Sequence, residues 1–146
     1  MFSPAIEGQI RNHAKLRRAG PRTIDAFIEL VAQVLAAHPN DIEIRPTKQF
    51  IPFSLIMGGQ DRNLTDVIAV REGEITLALK TCEPEYPFLD PQRKTQMLRP
   101  ECKEWRFSGY QREIKLCSHT DVPYICALVL QCFENLSARR DLRTAH

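Results

Sequence analysis

The strict alternation in Ile75-Thr-Leu-Ala-Leu-Lys80 limits this chain more than any other feature. Successive side chains on a strand point to opposite faces. Ile75, Leu77 and Leu79 therefore share one side, and Thr76, Ala78 and Lys80 share the other. One side belongs to a core and the other carries a lysine. Upstream, residues 64–70 are rich in β-branched and apolar side chains, and Arg71-Glu72-Gly73-Glu74 joins the two runs. Together they predict an antiparallel hairpin. Shorter strands are expected at 42–45 and 49–57, where Pro52 marks an edge or a bulge, with a turn at 58–61. Two further strands are expected at 104–107 and 111–117, turning at Ser108-Gly109.

A different period brackets these strands. Ile24, Phe27, Ile28, Val31, Val34 and Leu35 recur at helical spacing after Thr23, a candidate N-cap, and His38-Pro39 closes the run. Val122, Ile125, Cys126, Val129, Cys132, Phe133 and Leu136 form a second stripe, with Thr120 or Asp121 as N-cap and Pro123 in the first turn. Residues 4–18 suit a short basic helix. Helix, strands, helix is the order of an α+β fold: an antiparallel sheet of about five strands with N- and C-terminal helices packed on one face. Residues 81–100 interrupt it with Pro84, Pro87, Pro91 and Pro100; a loop of that length serves a function or moves.

A chain of 146 residues with 43% hydrophobic content suits a single domain, residues 1–146, with one core. The net charge of +2 gives no bulk attraction to nucleic acid. The charge is uneven, however. Arg11, Lys15, Arg17, Arg18 and Arg22 oppose only Glu7 in the N-terminal arm (1–20 and its edge), and Arg139, Arg140 and Arg143 oppose Asp141 in the tail at 138–146. These are solvated termini or, if adjacent, an anion-binding rim. Five cysteines without a C-x-x-C pair fit buried thiols in a reducing compartment. With no secretory leader pattern and no apolar run of membrane-spanning length, the expectation is a cytoplasmic protein.

Pro46-Thr-Lys48, Phe50, Ile51 and Phe53, then Asn63, Leu64 and Val67, then Leu77, Leu79 and Lys80 occur in a fixed order. Over roughly residues 23–137 this order resembles an uncharacterised domain family labelled "predicted transport protein", a domain of unknown function. The Pro-rich insert and the basic arm depart from its pattern. The family often occurs as an accessory domain in larger proteins linked to DNA restriction and defence. The resemblance thus implies a recruiting or binding role.

A metal-dependent nuclease commonly places Asp on one strand and Glu-x-Lys on the next. Asp66 and Lys80 fit the ends of that pattern, but Ala78 stands where the Glu belongs. Cys117-Ser-His119, with Cys102 and Cys82, offers soft metal ligands but only one close pair, and buried or inert thiols are the default reading over a Cys–His nucleophile. No glycine-rich phosphate loop occurs, and nothing points to a cofactor or bound metal. Thr47 and Lys48 can hold an anion, or serve as a turn threonine and a surface lysine. Trp105 and Arg106, with Phe107 and Tyr110, mix rings and cations as base-stacking surfaces do, or fill a core.

The expectation is a non-catalytic binding module for an anionic ligand or nucleic acid. Thr47, Lys48 and Lys80 would border a pocket roofed by Tyr86 and Phe88, with Trp105 and Arg106 beside it. The alternative is a divergent nuclease using Asp66 and Lys80. Self-association as a homodimer is expected through sheet edges at the Pro52 strand or the 105–117 hairpin.

Overall fold

A computed structural model describes residues 2–56 and 62–144, the last three of these by backbone alone. The fold is α+β. Among the described residues one antiparallel sheet runs in the order β1-β2-β3-β4-β6-β5. Its strands are β1 Ile42–Ile44, β2 Phe53–Leu55, β3 Asn63–Arg71, β4 Glu74–Leu79, β5 Gln96–Met97 and β6 Arg112–Leu116. The helices are α1 Pro4–Arg11, α2 Pro21–Ala37, α3 Lys103–Phe107 and α4 Val122–Thr144.

β3 and β4 form the expected hairpin. Val67 pairs with Leu77 and Arg71 with Glu74, and Gly73 takes φ 75°, which only glycine adopts without strain. Ile75, Leu77 and Leu79 enter the main core with Phe27, Leu30, Val31 and Val34 of α2 and Ile125, Val129 and Leu136 of α4. Phe27 meets Phe53 edge-on at 6.1 Å. The opposite face is partly roofed. Ala78, Leu98 and Tyr110 make a smaller cluster with Trp105 of α3 against it.

Several expectations need correction. α2 starts ahead of the expected N-cap Thr23: Gly20 has φ 87° and Pro21 occupies the first helical turn. Thr23 therefore lies inside α2, buried, and its Oγ1 donates to the Cys117 carbonyl at 3.4 Å. The basic helix stops at Arg11, and a 3-10 turn, Leu16–Ala19, follows it. Residues 104–107 are helical, not a strand. Trp105 and Phe107 suggest a period of two, yet Trp105 packs inward while Phe107 is 95% exposed.

The sheet has a sixth strand, β5, inside the Pro-rich segment. The Pro52 strand and β6 are both interior, so the edges are β1 and β5, and the edge argument for a dimer loses its basis. The tail at 138–144 continues α4. The turn expected at 58–61 lies outside the described residues.

Candidate functional site

A cleft of about 730 Å³ opens on the face of the sheet away from α2 and α4. It lies between the 45–52 segment and α3. Arg45, Arg62, Ser54 and Asn63 line one end; Phe50, Trp105 and Tyr110 line the other; Asp66 and Lys80 are at its base, with Thr47 at the rim.

Sequence puts them there. Asp66 faces Ala78 across the hairpin, and the alternation that sends Leu79 to the core sends Lys80 to this side. Lys80 is buried, with its ammonium 5.1 Å from the Tyr110 ring centroid. Trp105 makes edge-on contacts at 5.8 Å with both Phe50 and Tyr110. The segment 47–50 is held as a turn: the Thr47 and Phe50 backbones bond at 2.8 Å, and the Phe50 N–H donates to Thr47 Oγ1 at 3.0 Å.

Asp66 is only 3% exposed. Its Oδ1 accepts from the Ile51 N–H at 2.9 Å and the Val67 N–H at 2.8 Å. Burial pushes its carboxyl above the usual range, against those two N–H donors and the nearby Lys15 ammonium. Lys15 comes from the N-terminal arm. Its Nζ donates to the Val67 carbonyl at 2.6 Å and lies 5.7 Å from the Trp105 centroid. Burial pushes that ammonium down, and Asp66 opposes the shift. Arg45 is braced by Glu43 at 2.7 Å, whereas Arg62 makes no ion pair among the described residues.

Of the anticipated site residues, Thr47, Lys80 and Trp105 line this cleft. Lys48 and Arg106 are exposed and do not line it. Tyr86 and Phe88 are not its roof. They pack against the main core, because Gln131 and Asn135 of α4 hold the Leu89 and Pro87 carbonyls and draw the Pro-rich segment to the helical side. The two-lysine pocket is thus replaced by one built around Lys80, Asp66 and two arginines. Arg45, Arg62 and Asn63 were missed. Arg62 and Asn63 follow an expected turn, and only the pairing of Ser54 with Asn63 brings them to the cleft.

The nuclease pattern can be measured against the register. Glu74 pairs with Arg71, about 13 Å along the strands from Asp66 opposite Ala78. Among the described residues no group of three or more His, Cys, Asp or Glu side chains converges as metal ligands do. His119 pairs with Glu29 on α2. Desolvation, with Asp121 and Glu74 nearby, pushes the Cys117 thiol up, the wrong direction for a nucleophilic thiolate. None of the five cysteines is in a disulfide. No described helix is long and apolar enough to cross a membrane.

No family model, curated protein or solved structure matches the chain.

Proposed function

We propose that this protein is a binding module whose open sheet face takes an anionic ligand or partner. The observation that carries this reading is the cleft's charge: Arg45, Arg62 and Lys80 line it, Lys15 adjoins it, and among the described residues Asp66 is the one carboxylate in its lining. A concave surface with one sign of charge over low-dielectric walls concentrates oppositely charged ligands. Guanidinium groups also match phosphate and carboxylate geometry through paired N–H donors. Catalysis is not needed to account for any lining residue.

The test uses the chain's only tryptophan, which is in the cleft. Polyphosphate, pyrophosphate and single-stranded oligonucleotides are titrated while Trp105 emission is followed. The expected result is a saturable change that weakens with salt and weakens further in Arg62→Ala. Anion binding that leaves Trp105 unaffected would move the site elsewhere. Metal-dependent strand cleavage lost in Asp66→Ala would favour the nuclease reading, which rests on Asp66 and Lys80 lining one cleft.

The proposal extends to a cytoplasmic setting, supported by five cysteines none of which is in a disulfide. A homodimer remains part of it, now argued from the exposed apolar side chains Met97 on β5 and Phe107 on α3 instead of from the sheet edges. Light scattering that returns a mass near 16.8 kDa at micromolar protein would refute the dimer.

A further inference from the structure

Resting on the anion-binding reading above, we infer that the cleft's ligand is a nucleotide, with its phosphate at Arg45 and Arg62, its base against Phe50 and Trp105, and a base N–H donated to Asp66 Oδ2.

Two observations beyond charge carry this. The first is the unequal use of Asp66. Its Oδ1 is occupied by two backbone N–H groups, whereas among the described residues no hydrogen bond reaches Oδ2. Oδ2 is not among the described buried polar atoms that lack a partner, so it is open to the cleft, and a carboxylate oxygen so placed accepts from a ligand donor. An inorganic anion can meet the arginines but brings no N–H to Oδ2. A ligand with an N–H at one end and negative charge at the other meets both.

The second is the layout. The two arginines stand at one end, and the rings stand at the α3 end with the Lys15 and Lys80 ammoniums against Trp105 and Tyr110. Phe50 is 44% exposed and Trp105 is half-buried, so this pair offers apolar ring surface to a planar group. Asp66 is at the base of the cleft, and Asn63 stands with the arginines. Phosphate, sugar and base follow the same sequence of charge, polarity and flat apolar surface. A volume of about 730 Å³ is within the range of small-ligand sites. The nucleotide can be free or the terminal unit of a single strand, since both present the same chemistry.

Calorimetry and Trp105 emission on the full chain decide the matter. The ligands are AMP, purine riboside 5′-monophosphate (which lacks any base N–H), pyrophosphate, and a deoxyadenylate oligomer. AMP is expected to bind about 10-fold tighter than the purine analogue, the scale of one hydrogen bond to a charged group. Asp66→Asn should reduce that ratio toward one while binding pyrophosphate no more weakly, because the substitution removes a negative charge. Phe50→Ala, at a surface position, should weaken AMP by about 5-fold or more. Tighter binding of the oligomer than of AMP assigns the site to a strand, and the reverse assigns it to the free nucleotide. Equal affinity for AMP and the purine analogue on the wild-type chain overturns the inference, whether or not Asp66→Asn folds. If pyrophosphate still binds in that case, the anion-binding reading stands alone. If no anion binds, both fall.

Discussion

Asp90 shows how much one side chain can fix in this protein. Its carboxylate accepts from the Thr95 N–H at 2.8 Å, the Thr95 hydroxyl at 2.7 Å, the Lys94 N–H at 3.1 Å and the Tyr124 hydroxyl of α4. Desolvation alone would raise this carboxyl; the donors overcome it and hold it at about 2. The Glu83 carboxyl is also lowered, chiefly by its hydrogen bonds to Arg112. Both folded values are depressed, so their stabilisation is present above the ordinary carboxylate range, near pH about 4, and is lost as pH falls toward about 2. Thermal melts are expected to show Tm dropping over that window, with a shallower drop in Asp90→Asn. An unchanged slope in the variant would show that Asp90 does not anchor the Pro-rich segment. In the core, Phe27→Ala should cost about 3–5 kcal/mol by denaturant unfolding, because a fully buried ring meeting Phe53 would leave a cavity.

At the scale of elements, the N-terminal arm is a brace for the cleft rim. The Lys15 N–H donates to His13 Nδ1 at 3.1 Å, so the proton is on Nε2, which donates to the Thr47 carbonyl at 2.5 Å. His13→Ala should release the 47–50 turn. Hydrogen exchange is expected to rise at Phe50 and Ile51 while Leu77 in β4 stays protected; equal protection at Phe50 in both proteins would refute the brace. The contact spans 34 residues of sequence and has no periodic signature. The same contrast explains what could be read from sequence. α2, the β3–β4 hairpin and α4 were legible because each repeats one burial pattern over several turns or pleats. The two-residue β5 is too short for any period, and α3 presents a single buried ring, Trp105, beside an outward Phe107. Lys80 could be assigned to the polar side of its strand from alternation alone. The course of Tyr86 and Phe88 could not, since Gln131 and Asn135 of α4 set it from a distant part of the chain.

At the scale of the whole molecule, the fold separates two tasks. α2 and α4 bury one face of the sheet, and α3 and Tyr110 cover part of the other. Beside them lies the cleft with its cations, its rings and, among the described residues, one carboxylate, Asp66. A second cleft near the start of α2, lined by Arg22, Gly73 and His119, offers an anion less: Arg22 shares the lining with Glu72, and the His119 ring is engaged by Glu29. The most direct test is an amide chemical-shift map of the full chain with and without pyrophosphate. The expected shifts cluster at Asn63, Asp66, Lys80, Ser108 and Tyr110 and vanish in an Arg45→Ala, Arg62→Ala double variant. Shifts confined to Gly20, Arg22 and His119, or no shifts at all, would contradict the assignment of the open sheet face as the binding surface.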